Sequence, residues 1–141
     1  MEHLQLIHDG GDHWILLRSL LDPCTVQVFD SLRSNKFNKT KLNCIRSLFI
    51  QFSNSNGEIP VSIMDVPRQN DNFNCGVYAI AYAADILAGK PATSVYDVTK
   101  MRSHLVECLR GGKLRPFPVV NTTKRLRKLL GSIDVVHVST F

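Results

Sequence analysis

Short apolar runs at strand spacing between Leu4 and Phe29, apolar stripes at helical spacing beyond Thr40, and an ordinary globular composition together predict an α+β fold. Hydrophobic residues make up 44% and charged residues 21% of the 141 positions, a balance usual for a folded domain. A chain of this length makes one domain and hides about two-thirds of its unfolded surface without disulfide or metal staples.

Leu4 to His8 is the first expected strand, and Gly10 and Gly11 break it before His13-Trp14-Ile15-Leu16-Leu17, a buried strand. Asp22-Pro23 marks a turn, so Thr25-Val26-Gln27-Val28-Phe29 is the returning strand of a hairpin. Side chains two apart share a face, which aligns Val26, Val28 and Asp30. Polar Ser31 to Lys39 forms a loop. Thr40 is then the expected cap of a helix whose apolar positions are Leu42, Ile45, Phe49 and Phe52. Ser53 to Gly57 is a loop, Ile59 to Val66 a strand with Pro60 at its start, and Pro67 to Asn74 polar and irregular. From Cys75 the spacing is helical: Val77, Ile80, Ala81, Ala84 and Leu87 form a stripe that stops near Gly89-Lys90-Pro91. A last helix, 98–110, is expected to bury Met101, Leu105 and Leu109 and to end at Gly111-Gly112. The resulting order is β-β-β-α-β-α-α. Leu126, Leu129, Leu130 and Ile133 are expected to form a short amphipathic turn set.

No apolar run approaches the roughly 20 residues that cross a bilayer, and the start MEHLQLIHDGG lacks a signal-peptide core. An intracellular protein, nuclear or cytoplasmic, is the expectation. Cys24, Cys44, Cys75 and Cys108 are widely spaced without a CxxC pair, so reduced thiols fit that compartment. The formal net charge is +5, with much of the excess in Lys124, Arg125, Arg127 and Lys128. A solvated basic surface is the common reading of such a run; a nuclear-import or nucleic-acid patch at residues 124–128 is the other.

Chemistry concentrates at Cys75. A thiol attacks a carbonyl only as thiolate, and free cysteine at neutral pH is mostly protonated. Cys75 stands where a polar loop turns into a helix, and there unpaired N–H groups and the helix dipole favour negative charge. Gly76 leaves room for a substrate backbone to approach. Alone, the same position describes a small buried hydrophobe. A nucleophilic thiol also needs an imidazole to accept its proton and a polar group to orient that imidazole. His13 opens one strand of the hairpin and Asp30 closes the other, so the hairpin can set them side by side. Taken singly, each is an ordinary strand-end or turn residue.

His13-Trp14, then Phe29-Asp30-Ser31, then Gln69 six residues before Cys75-Gly76-Val77, resemble the ubiquitin-like-protein-specific (SUMO/sentrin-type) cysteine protease family, with an adenovirus-protease-like catalytic layout. The spacing of 17 from His13 to Asp30 and the chain order His, Asp, Gln, Cys agree with that pattern. The likeness runs from Gln5 to Ala84, and the segment through Pro118 is compatible with it. It implies a papain-like cysteine protease fold in circularly permuted order, with a central mixed or antiparallel sheet and a nucleophile-bearing helix. Residues 1–120 are then the catalytic domain and 121–141 a basic C-terminal extension. It also implies roles: Cys75 as nucleophile, His13 as general base then acid, Asp30 as the holder of its tautomer, and Gln69 with the Cys75 N–H as oxyanion hole. Trp14 would wall a narrow channel for a Gly-Gly tail beside His13 and Gly76; as the chain's only tryptophan it is equally readable as a core anchor.

The implied activity is a thiol peptidase or isopeptidase acting on ubiquitin-like protein conjugates or precursors, with such a protein as partner and no cofactor. Asn74 departs from the family pattern, which usually has Asp there; Asn keeps turn-forming ability and removes a charge, so a changed loop is expected. Only twelve residues precede His13, where family domains carry roughly 60–80, so the domain is expected to be N-terminally short. Alternatives are a protease-derived module that binds a ubiquitin-like partner without cutting it, and the protease part of a mobile-element polyprotein. His104 and Cys108 lie four apart on one helical face, but two ligands do not close a tetrahedral zinc site, and Cys108 is expected to face the core. Cys24 and Cys44 are expected to be structural thiols.

Overall fold

The computed structural model describes residues 2–92, 94–120 and 132–140. Strands β1 (His3–His8), β2 (Trp14–Leu21), β3 (Cys24–Phe29), β4 (Glu58–Met64) and β5 (Ser132–Ser139) form one sheet in that order. The β3–β4 pair is parallel and the others are antiparallel, giving a mixed sheet. A parallel pair needs a crossover. Helix α1 (Lys39–Phe49) and a 3₁₀ turn, Ile50–Phe52, supply it. Helices α2 (Cys75–Leu87) and α3 (Val98–Gly111) follow β4.

Strand alternation divides the core between the two sheet faces. Ile15, Leu17, Val26, Val28, Ile59, Val61 and Ile63 pack with Ile45 and Phe49 of α1 on one side. Leu16 and Phe29 pack with α2 on the other, joined by Met101 of α3, Tyr96 and Phe117. Helices therefore cover both faces. Among the described residues, no helix is long and apolar enough to cross a membrane.

The expected strands, hairpin and three helices are present, with several corrections: β2 runs four residues past Leu17, to Leu21, and α1 ends at Phe49. The cap of α1 is Asn38, not Thr40: its side chain accepts a hydrogen bond from Lys41 N at 2.8 Å. Thr40 instead lies against Gly10. Phe52 is buried from the 3₁₀ turn rather than from the helix. On α2 the buried set also includes Tyr78, Tyr82 and Asp85, whose carboxyl accepts from the Tyr96 hydroxyl at 2.6 Å, while Leu87 is exposed. On α3 Cys108 faces the core as expected, Leu105 is partly buried, and Leu109 is exposed. Gly112 ends α3 in the left-handed conformation, at φ 65°. Cys24 is exposed rather than structural, and Cys44 is half-buried.

The largest correction is β5. Ile133 belongs to a strand paired with β4, not to an amphipathic turn set, and Val138 is buried in the α1-side core. Arg46 of α1 donates to Ser139 O at 2.7 Å, and Asn35 donates to Asp134 at 3.1 Å. The stretch expected as a basic extension thus contains a sheet strand. Leu126, Leu129, Leu130 and the basic run 124–128 lie outside the described residues.

Candidate active site

Hairpin pairing decides where the first two site residues meet. In the β2–β3 register Leu16 faces Phe29, so His13, just ahead of β2, and Asp30, just after β3, emerge at the same sheet end. His13 Nε2 lies 2.6 Å from Asp30 Oδ1, and both side chains are buried. The carboxylate can only accept, so Nε2 carries the proton and Nδ1 is left for the other side. Leu32 N–H adds a second bond to the same oxygen at 2.8 Å.

The loop between β1 and β2 presents His13 from a constrained backbone. Gly10 has φ 85° and Asp12 has φ 58°, both in the left-handed region. Asp9 N–H donates to His13 O at 2.9 Å, and Asn38 Nδ2 donates to Asp9 O at 2.8 Å. The first turn of α1 therefore supports the histidine loop. A Cβ on Gly10 would lie 2.8 Å from Thr40 Oγ1.

Cys75 is the first residue of α2, as expected, and is buried. Its thiol points to Asp12 O at 3.8 Å. The Cys75 side chain is also close enough to act on the titration of His13. The hydrogen bond to Asp30 raises the His13 pKa above its ordinary value; burial opposes this, while the Asp30 charge and the Cys75 side chain reinforce it. For Asp30, burial pushes the pKa up, but hydrogen bonds from His13 and Leu32 and the charges of His13 and Lys41 outweigh it, so the carboxyl lies below its usual value. The pair thus favours imidazolium beside carboxylate.

Gln69 is held at both ends of its amide. Its Oε1 accepts from Ser31 Oγ, and its Nε2 donates to Asp71 O at 2.6 Å. Because a backbone carbonyl only accepts, the amide orientation follows from Asp71. Gln69 N–H also bonds Ser31 O at 2.9 Å. One Nε2 hydrogen remains beyond these bonds.

Asn74 explains its departure from the family pattern. Its Nδ2 donates to Asp71 Oδ2 at 2.9 Å while its Oδ1 accepts from Arg102 Nε at 2.9 Å. An amide serves an anion and a cation at once; a second carboxylate would meet Asp71 head on. Asp71 Oδ1 further accepts from Phe73 N and Asn74 N, closing a tight turn in front of α2.

A cavity of about 410 Å³ opens beside Cys75, with Trp14 and Gly76 on one side and Phe73, Ile80 and Arg102 completing it. Trp14 is 44% exposed, so it walls the cavity rather than anchoring the core. Phe73 is 70% exposed at the rim, with the Arg102 guanidinium 5.8 Å from its ring centre.

Ser31, Asp71, Arg102 and Lys41 were not picked out as site residues by sequence. Ser31 adjoins Asp30 in the quoted pattern, a signal available in the chain. Lys41 carried none, since a lysine is ordinarily solvent-exposed. His104 and Cys108 do face each other, at 3.4 Å, with His104 Nε2 also 3.0 Å from Arg115 O. Among the described residues no group of three or more His, Cys, Asp or Glu side chains could hold a metal.

A mixed sheet bearing a thiol at the start of a helix packed on it, beside an imidazole–carboxylate pair, is the architecture of the papain-like cysteine peptidase class. The profile of the Ulp1 protease family, C-terminal catalytic domain, matches residues 4–108. The chain belongs to that family of cysteine peptidases. No curated protein and no solved structure gives a significant match.

Proposed function

We propose that this chain is a thiol peptidase or isopeptidase that cleaves SUMO-type ubiquitin-like proteins at their C-terminal glycine, in conjugates or precursors. The observation that carries the reading is the buried His13–Asp30 pair at 2.6 Å, with the Cys75 thiol against Asp12 O, the neighbour of His13 in the chain, and the Gln69 amide held in one orientation. His13 Nδ1 takes the thiol proton, and the thiolate attacks the substrate carbonyl carbon. The oxygen gathers negative charge toward the remaining Gln69 Nε2 hydrogen and the Cys75 N–H; losing one such donor typically costs about 10²–10³ in rate. The imidazolium then protonates the leaving amine as the C–N bond breaks. His13 next deprotonates a water, which hydrolyses the thioester and frees Cys75.

The ubiquitin-like substrate class rests on family membership and on the cavity beside Cys75 that Trp14 and Gly76 both line. Two measurements test the reading. At about pH 6 an ordinary exposed thiol is almost wholly protonated. Iodoacetamide should therefore label buried Cys75 ahead of exposed Cys24, and His13→Ala should abolish that preference. A ubiquitin-like C-terminal fluorogenic substrate should be turned over by the wild type and not by Cys75→Ser. Equal labelling of all thiols, or binding of the substrate without release, would replace the protease reading by the binding-module reading.

A further inference from the structure

Lys41 is the cation that the relay does not use. It sits in the first turn of α1 with its side chain only 3% exposed, and its Nζ lies 3.9 Å from Asp30 Oδ2. The same Nζ donates to Lys36 O at 3.4 Å and stands 4.3 Å from the centre of the Phe37 ring. Each of these neighbours favours positive charge. Asp30 thereby divides its oxygens: Oδ1 takes His13 and the Leu32 N–H, and Oδ2 faces the ammonium.

Two local rules argue against a lysine here. Burying an ammonium is costly unless it is paired, and a cation in the first turn of a helix opposes the helix dipole. Burial accordingly lowers the Lys41 pKa, against the pull of Asp30 and Asp9. Nothing in the packing of α1 requires the charge, since its apolar face is Ile45 and Phe49. What the charge meets is Asp30.

We propose that Lys41 is a positioning residue, whose buried ammonium pins the second oxygen of the Asp30 carboxylate so that the first stays turned to His13. The proposal rests on the protease reading of the site, because it assigns Lys41 a task within that relay. The other titratable groups facing the cluster are Asp9 from the loop after β1, Cys75 and Tyr82 from α2, and His13 itself.

Removing a positive charge raises the proton affinity of every group near it. Lys41→Met keeps most of the volume and removes the charge; Lys41→Arg keeps the charge. The expected result for Lys41→Met is a fall of about tenfold in kcat with KM unchanged, which marks an interaction made in the chemical step rather than in binding. Both limbs of its pH–rate profile for Cys75 alkylation should move to higher pH, and Lys41→Arg should return them. A folded Lys41→Met protein with wild-type limbs and wild-type kcat overturns the proposal. Should Lys41→Met fail to fold, Asp30→Asn/Lys41→Met decides. Recovered folding supports the pairing, and continued failure overturns it, since the lysine would then serve packing alone. If the wild type shows no preferred alkylation of Cys75, the protease reading fails separately. The His13 ring titration by NMR then still reads the lysine: an upward shift in Lys41→Met supports the pinning, and an unmoved titration overturns it.

Discussion

An alanine Cβ at position 76 would meet Trp14 Cδ1 at 3.6 Å, an ordinary van der Waals contact. Packing in the resting protein therefore tolerates alanine, and a helical glycine is destabilising by roughly 0.5–1 kcal/mol relative to alanine. Gly76→Ala should raise the urea midpoint slightly while raising KM for a Gly-Gly substrate, because the methyl group narrows the cavity that Gly76 and Trp14 line beside Cys75. A variant that is both more stable and kinetically unchanged would remove this side of the cavity from the substrate path. His13 offers a pH test at the same scale. Its pKa is raised on folding from 6.5, so its stabilising contribution is complete below the unfolded value and is lost as pH rises through the folded one. Asp30, lowered from 3.8, contributes above its unfolded value and loses that contribution as pH falls through the folded one. The stability difference between wild type and His13→Gln should thus be larger at pH 6 than at pH 9, measured by urea unfolding. A difference that grows with pH would contradict the assigned pairing.

The loop between β1 and β2 and the first turn of α1 act as one support for His13. Gly10 has φ 85° and faces Thr40 closely, whereas Gly89 has φ 72° with nothing within 4 Å of its added Cβ. Alanine at either position meets the left-handed backbone penalty of about 1 kcal/mol. Only Gly10→Ala adds a clash, and only there does the strain reach the catalytic loop. Thermal melts should show Gly10→Ala lower than Gly89→Ala, and only Gly10→Ala should slow Cys75 alkylation. Equal effects on alkylation would separate α1 from the site. At the same scale, Ser31 couples the end of β3 to Gln69 through both backbone and side chain. One hairpin end thereby positions the base and the oxyanion amide together.

Across the whole molecule the sheet ends on β5, whose chain position lies far beyond the site. Val138 is buried against β4 and α1, a contribution of about 2 kcal/mol by itself. The Arg46–Ser139 and Thr140–Gly57 hydrogen bonds add to it. Ending the chain at Val120 should therefore lower the unfolding free energy by several kcal/mol and leave the β4 edge open to association, read by urea unfolding and by size-exclusion chromatography. Unaltered stability would mean that β5 is an accessory to the fold.

Much of this protein was legible in its residues. The apolar run from Trp14 to Leu17, the alternation from Thr25 to Val28 and most of the helical stripe after Cys75 are local patterns that survive folding, although Leu87 at the end of that stripe is exposed. The pairing of His13 with Asp30 was readable because one hairpin joins them, and that of Gln69 with Cys75 because six residues separate them; Asp30 and Gln69 are instead brought together across α1 and β4. Sequence left three things undecided that only the tertiary structure settles. Trp14 is a cavity wall because β2 starts at the sheet end beside α2, not because of its own apolarity. Strand β5 follows a long separation, and pairing across such a gap leaves no local pattern to read. Lys41 is buried because the fold of the loop between β3 and α1 brings it to Asp30, which supplies the opposite charge. A buried ion pair is a property of two positions at once, and neither of them announces it alone.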